Sequence, residues 1–433
     1  MKKKCIDSST IIASLTRKLS VSILMLAAFA SPSWGRVESV EIVGNPTVKT
    51  INYDERVTVR IKVKDAQNRP IMGLQHTNFK LKVDREEFYF NTRDWKSPQQ
   101  STPPPAWIIV LLDMSGSMDK KDNSQTRKID GAIDAIEQFI KKASSEGGDS
   151  TKIAIVPFGE SGPKCSQGYK INQNTLGKFF TAQDIELTNN LDNLQSKTPC
   201  ASTNLYQPLK KAIRFFGDTN KTDFYPPEDS GKPQPRLSII LLSDGYHNAG
   251  NQEEFQSLKN LVNRKSEIII HTLGYGLTPK ELGEKYNLRR PATREDIGRG
   301  PRKVPPEEFV DKQRLAEIAN LTGGIAEFSG DAETIAENLQ VFLKSLLGEY
   351  EISYIHPNAE RGNKHQVQVV VNSQGDKPVE SKPKGYTIPV FGRSVPLPQR
   401  LAMLSVLLVV ISLGGILPFY LWGKRLKKEA QRN

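Results

Sequence analysis

A chain of 433 residues, 37% apolar and 25% charged, is too long for one ordinary domain, and two or three are expected. Its formal net charge of +12 suggests a nucleic-acid binder until the charge is divided along the chain. Residues 1–35 hold five Lys/Arg against one Asp, and residues 423–433 hold five against one Glu, so each end carries +4 and only +4 is left for everything between. That middle has no basic stripe with interleaved aromatics, which excludes nucleic acid as the partner.

The first segment reads as a secretory signal. Lys2, Lys3, Lys4, Arg17 and Lys18 precede a largely apolar run from Val21 to Ala30, which has the length of a signal core and falls short of a bilayer span. Ala28-Phe29-Ala30 and Ser33-Trp34-Gly35 both fit a cleavage site, and an uncleaved anchor is the alternative. No lipobox-like cysteine follows the run, so no lipid anchor is expected. Residues 36–95 are β-patterned. Val57, Val59, Ile61 and Val63 alternate with polar neighbours, as do Phe79, Leu81 and Val83. A Pro-rich linker is expected over 96–106, where Ser97 to Pro105 can hold neither a helix nor a central strand.

Strands and helices then alternate from 107 to 348. Ile108, Ile109, Val110, Leu111 and Leu112 are a run short enough for a strand buried on both faces, ending in Asp113, Ser115 and Ser117. Helical spacing follows over Ile129–Ala143, a short strand at Ile153–Pro157 and a helix over Leu205–Phe216. Leu237 to Asp244 is a second buried strand that ends in a carboxylate. Helical spacing at Phe255, Leu258 and Leu261, a strand from Ile268, a helix around Leu315–Leu321 and a last helix from about Asp331 to Gly348 complete the pattern. The expected fold is α/β, a doubly wound and mostly parallel sheet. Ligands in such sheets bind beyond the carboxyl ends of the strands, where both the Asp113 and the Asp244 loops lie.

Asp113-x-Ser115-x-Ser117, Thr203 ahead of the helix at Leu205 and Asp244 after the second buried strand match, position by position and in order, the metal-ion-dependent adhesion site of the von Willebrand factor A-type domain. The chain resembles that family from about Trp107 to Gly348, and in particular its bacterial membrane-anchored members. The resemblance implies that Asp113, Ser115, Ser117, Thr203 and Asp244 bind Mg²⁺, or Mn²⁺ or Ca²⁺, without catalysis. An open coordination position would then accept an Asp or Glu from a protein partner, coupled to movement of the last helix. Oxygen donors of this kind suit a small hard divalent ion.

Two insertions flank the motif. Gly159–Ala201 contains Cys165 and Cys200, which outside the cytoplasm point to a disulfide, with two free buried thiols as the alternative. Gly276–Phe309 carries Arg289, Arg290, Arg294 and Arg299, either a solvated loop or a basic lip that attracts an acidic partner.

Residues 349–392 return to β, with Tyr350, Ile352 and Tyr354 and then Val367, Val369 and Val371 alternating. Neither β segment has enough strands to bury a core alone, so 36–95 and 349–392 are expected to pack together around the inserted module. Leu401–Trp422 is uncharged and long enough to span a bilayer, and the basic tail 423–433 follows. By the positive-inside rule this is a single-pass, type I plasma-membrane protein whose residues 36–398 are extracytoplasmic, in the periplasm or on the cell surface.

His76, His247, His271, His356 and His365 are the only histidines, and they form no metalloprotease pair; nucleophile-elbow and phosphate-loop motifs are also missing. An adhesion or docking receptor is the expected role, with an assembly or chaperone-like subunit of a membrane complex and a metal-dependent hydrolase as alternatives.

Overall fold

The computed structural model describes residues 36–431 apart from 52–53, 123, 162–164, 228–229, 231, 245–251, 266, 357–359, 361, 374–376 and 390–396. The expected signal segment and His247 lie outside the described residues.

The β-patterned first segment forms β1 (Ser39–Ile42), β2 (Thr47–Ile51), β3 (Asp54–Lys64), β4 (Phe79–Val83), β5 (Glu86–Phe88) and β6 (Trp95–Lys96). The module follows with β7 (Ala106–Asp113), α1 (Lys128–Gly147), β8 (Thr151–Phe158), β9 (Phe180–Thr181), α2 (Ile185–Gln195) and α3 (Tyr206–Phe216). It continues through β10 (Arg236–Ser243), α4 (Gln252–Asn263), β11 (Ile268–Tyr275), α5 (Pro279–Lys285), α6 (Lys312–Asn320), β12 (Ala326–Ser329) and α7 (Ala332–Leu347). The chain returns to β13 (Tyr350–Ile355), β14 (Lys364–Val371), β15 (Val379–Glu380) and β16 (Lys384–Thr387), then to α8 (Leu397–Ile411) and α9 (Leu417–Ala430).

Strands from both sides of the module hydrogen-bond to one another. One sheet runs β1-β3-β13-β6 with β2 also on β3, and the other runs β15-β14-β4-β5 with β16 also on β14. The alternation explains the pairing. Val57, Val59 and Ile61 of β3 and Ile352 of β13 are fully buried on one sheet, as are Leu81, Val367 and Val369 on the other, and all of them join one core. A face this apolar needs a second sheet to cover it, and neither segment supplies one without the other. The Pro-rich stretch is held against the seam: Arg60 donates to the Thr102 carbonyl at 2.9 Å, and Ser101 Oγ donates to the Glu349 carbonyl at 2.8 Å.

The module's sheet has the order β12-β11-β10-β7-β8-β9, and all neighbours are parallel except β9, which is antiparallel to β8. Alternate residues of β7 feed two cores. Ile108, Val110 and Leu112 pack with α1, α2 and α7, while Ile109 and Leu111 pack with α3, α4 and α6. Such two-sided burial is the reason the strand reads as an unbroken apolar run. The Gly159–Ala201 insertion contributes β9 and α2, and α2 buries Leu187, Leu191 and Leu194 beneath α1.

Cys165 and Cys200 are joined in a disulfide that closes a 35-residue separation. The Cys200 N–H also donates to the Met114 carbonyl at 3.1 Å, so the cross-link anchors a strap that touches the Asp113 loop. Cys200→Ser is expected to lower stability by about 3 kcal/mol through the greater freedom of the unfolded chain, and urea titration with and without reductant measures it.

Leu401–Ala430 is a helix long and apolar enough to cross a membrane by length and composition. A wider turn at Ser412–Ile416, centred on Gly414 and Gly415, joins its two halves.

Candidate functional site

The carboxyl ends of β7 and β10 lie side by side, with Leu112 paired to Leu242. Asp113 and Asp244 therefore leave the sheet together, and both are fully buried. The Ser115 N–H donates to Asp113 Oδ1 at 2.8 Å, which curls the loop back on the strand. Ser117 Oγ donates to Asp244 Oδ1 at 2.7 Å, Ser115 Oγ is 3.0 Å from Ser117 Oγ, and Ser243 Oγ donates to Asp113 Oδ2. The loop is clamped from both sides: Met114 N–H donates to the Phe158 carbonyl and Gly116 N–H to the Ala201 carbonyl.

Thr203 sits on the strap that provides the second clamp. Ala201 N–H donates to the Met114 carbonyl at 3.0 Å, and Ser202 pairs with Glu160. Asn204 Oδ1 accepts the N–H groups of Tyr206 and Gln207 and so starts α3. Among the described residues no hydrogen bond links Thr203 to the other four; its loop backbone brings it to the same rim. Asp113, Ser115, Ser117 and Asp244 are thus directly connected, and Thr203 is their neighbour through the strap.

Lys128, the first residue of α1, enters the same cluster. Its Nζ donates to Asp244 Oδ2 at 2.6 Å, and the side chain is buried. A cation at a helix N-terminus opposes the helix dipole, so a lysine that opens an amphipathic helix is a sequence signal that its charge is used elsewhere. The contact spans 116 positions and escapes any local reading. Ser243 is the other residue that sequence reasoning passed over.

Two buried carboxylates stand here beside one ammonium, which contacts Asp244 alone, so negative charge is in excess away from water. Burial, and then the neighbouring Asp244 carboxylate, push the Asp113 carboxyl up to about 7. Excess buried charge is costly unless a cation joins it. Oxygen donors carrying that charge fit a hard divalent ion. Asp113, Ser115, Ser117 and Asp244 would hold it, and it would supply a positive centre able to draw an incoming carboxylate.

The arginine insertion starts at the end of β11 on the same rim. A Cβ built on Gly276 would come 3.7 Å from Lys128 Nζ, which places the base of the insertion beside the cluster. Arg289, Arg290, Arg294 and Arg299 are all exposed. Two of them are engaged: Arg290 makes a bidentate pair with Asp296 at 2.7 and 2.8 Å, and Arg294 pairs with Asp311. The lip is therefore less positive than its arginine count suggests. His271 is buried inside the sheet, with its ring stacked 4.6 Å from Phe342 and Nδ1 accepting the Ile325 N–H, so it holds the core together rather than facing a ligand.

A sequence family described as the von Willebrand factor type A domain matches residues 108–247. No curated protein matches the chain. Among solved structures it is similar to a von Willebrand factor type A protein from Catenulispora acidiphila, with 14% identity over 83% of this chain and 75% of that one at a TM-score of 0.39. It is also similar to the pilus adhesin SpaC from Lactobacillus rhamnosus GG, with 13% identity over 83% of this chain and 49% of that one at a TM-score of 0.38, so it spans about half the adhesin's length. The adhesive tip pilin of Group B Streptococcus agalactiae is 9% identical over 81% of this chain and 91% of that one at a TM-score of 0.28. The family match falls on the segment that runs from the first buried strand through the Asp244 loop, and residues 108–247 are a von Willebrand factor type A domain.

Proposed function

We propose that the protein is a membrane-anchored, extracytoplasmic docking module that captures a protein partner through a divalent cation, with no catalytic step. The observation that carries this reading is the convergence of Asp113, Ser115, Ser117 and Asp244 at the carboxyl ends of two adjacent strands, with excess buried negative charge. Asp113, Ser115, Ser117, Thr203 and Asp244 are the proposed ligands. Mg²⁺ is the proposed ion, with Mn²⁺ or Ca²⁺ as substitutes, and a partner's Asp or Glu completes its shell.

Anchorage rests on the apolar helix over Leu401–Ala430, which contains the uncharged stretch Leu401–Trp422 and then Lys424, Arg425, Lys427 and Lys428. The basic end belongs on the cytoplasmic side, so residues 36–398 face outward in a type I arrangement. A cross-linking pull-down from membranes in Mg²⁺ and in EDTA tests the whole reading. The partner is expected only with Mg²⁺ and only with Asp113 intact; a partner retained equally in EDTA and by Asp113→Ala refutes it. A turnover assay lost in Asp113→Ala would identify a hydrolase instead.

Lys128 competes with the ion for Asp244 under this reading. Lys128→Met is expected to tighten Mg²⁺ binding by about tenfold or more, since a unit charge some 4 Å away is worth a few kcal/mol near a protein surface. Calorimetric titration of the metal-free protein reads this, and an unchanged or weaker affinity would show that the ammonium assists the site rather than opposing the ion.

A further inference from the structure

A second cluster of ligating side chains lies outside the module, where β4, β13 and β14 meet at one end of the β-sandwich. Asp84 turns the corner between β4 and β5, His356 follows β13 directly, and His365 is the second residue of β14. One ligand atom from each lies within 4.8 Å of the others. The imidazole rings of His356 and His365 have centroids 4.1 Å apart. Asp84 holds the second ring: His365 Nδ1 is 2.7 Å from Asp84 Oδ2, and Asp84 Oδ1 accepts the Gln366 N–H at 2.8 Å. A carboxylate oxygen at this distance accepts from Nδ1, which turns the ring's other nitrogen away from Asp84.

His365 Nε2 is then the nitrogen that faces away from the carboxylate. The atom is buried and has no hydrogen-bond partner. A buried polar atom without a partner costs free energy, and an apolar residue at this place would avoid the cost. A carboxylate that fixes one imidazole nitrogen and presents the other is the arrangement that orients histidines toward metal ions.

We propose that Asp84, His356 and His365 form a second metal site, for a borderline transition ion of the zinc type, with the two imidazoles as ligands and Asp84 orienting His365. The two sites select different ions. The module's donors are oxygens and suit a hard cation, whereas imidazole nitrogen favours zinc, nickel or copper. The second ion has a structural consequence. It joins the imidazoles at the ends of β13 and β14, and the Asp84 contact to His365 ties that pair to the β4–β5 turn of the N-terminal segment, across halves that the module separates in sequence. His365 also pairs in register with Tyr386 of β16, the last strand before the apolar helix. The clamp therefore stands at the end of the sandwich from which the chain leaves for that helix.

The test uses the full chain in detergent, stripped of metal, with saturating Mg²⁺ present to occupy the module, and titrated calorimetrically with ZnCl₂. One zinc per chain is expected, with a dissociation constant in the micromolar range or tighter. His356→Asn and His365→Asn should each weaken it by at least about tenfold and Asp84→Asn by about tenfold, as losses of ligands and of an orienting partner do. Asp113→Ala and His76→Asn should leave zinc binding unchanged. Zinc that binds with undiminished affinity to His365→Asn, or no zinc bound by the wild type, overturns the proposal. Should a histidine variant fail to fold, X-ray absorption on the zinc-loaded wild type decides: two imidazole nitrogens support the site, and a shell of oxygens alone refutes it. Loss of zinc binding in Asp113→Ala would assign the ion to the module and equally refute a second site.

Discussion

Asp244→Ala is expected to remove all stabilisation by Mg²⁺ and, in the metal-free protein, to cost on the order of 3–5 kcal/mol, the usual effect of leaving one member of a buried ion pair alone. The stranded member is Lys128, whose buried Nζ has Asp244 Oδ2 at 2.6 Å. Asp113→Asn should behave differently. It also removes the Mg²⁺ response, yet it relieves the excess negative charge beside Asp244, so the metal-free protein should be more stable than wild type at pH 8. Wild type should gain about 2.7 kcal/mol when free Mg²⁺ is a hundred times its dissociation constant. Urea titrations of the three proteins in EDTA and in Mg²⁺ measure all of this. Equal Mg²⁺-dependent gains in wild type and both variants would show that the ion binds elsewhere.

The pH dependence carries a definite sign. The Asp113 carboxyl is pushed up from 3.8 to about 7, so between those values the folded protein binds a proton that the unfolded chain has released. Stability of the metal-free protein therefore falls as pH rises through that window. With Mg²⁺ present the slope weakens or reverses, because the ion needs the ionised carboxylate. Asp113→Asn should flatten the metal-free profile. A wild-type profile in EDTA that rises steadily from pH 4 to 7 would contradict the buried-pair electrostatics.

How much of this was open to a reading of the sequence depended on how local each signal was. Ile108–Leu112 and Leu237–Leu242 announce buried strands by composition alone, and Asp113 and Asp244 are their next polar carboxylates, so the site's position was legible. The alternation at Val57–Val63 and Val367–Val371 likewise shows one wet face and one dry one, and hence the need for a covering sheet. β9 is only two residues and has no period to detect. Leu187, Leu191 and Leu194 did show helical spacing, in an insertion noted chiefly for its cysteines. The basic lip reads as more positive in sequence than it is in space, because Asp311, which neutralises Arg294, lies beyond the insertion's end at Phe309. Lys128 on Asp244, and Asp84 with His356 and His365, are products of topology: side chains distant in sequence meet because strand order brings their ends together.

The same topology concentrates charge on the seam between module and sandwich, where Glu349→Gln is expected to cost about 3–5 kcal/mol. Glu349 follows Gly348, the residue that caps α7, and is fully buried. Arg236, the first residue of β10, donates to it from Nε at 2.7 Å and from a terminal nitrogen at 3.1 Å, while Arg60 of β3 stands 3.5 Å away. Lys62 of β3 donates to the Leu346 carbonyl at 3.0 Å, the end of the same helix. One carboxylate thus ties the last helix and the central strand of the module to the sandwich, at the end of the sheet opposite the Asp244 loop. Although desolvation raises it, the Arg236 hydrogen bonds and the surrounding cations hold the Glu349 carboxyl below 4.5. Its contribution is therefore complete above pH 4.5 and lost as the pH falls through the lower folded-state value, so Glu349→Gln should lessen the acid sensitivity of the seam as well as weaken it. Trp95 reports from the sandwich and Trp107 from the module, and fluorescence of variants retaining one or the other during urea unfolding separates the two parts. Transitions that stay in place for both would mean that apolar packing alone holds the parts together. If the double variant Arg236→Met/Glu349→Gln regains much of the loss, the cost lay in stranded arginine charge rather than in the bonds themselves. Either way, these contacts make the position of α7 depend on the sandwich, because Arg60 and Lys62 of β3 hold the carboxylate beyond its end and its last turn.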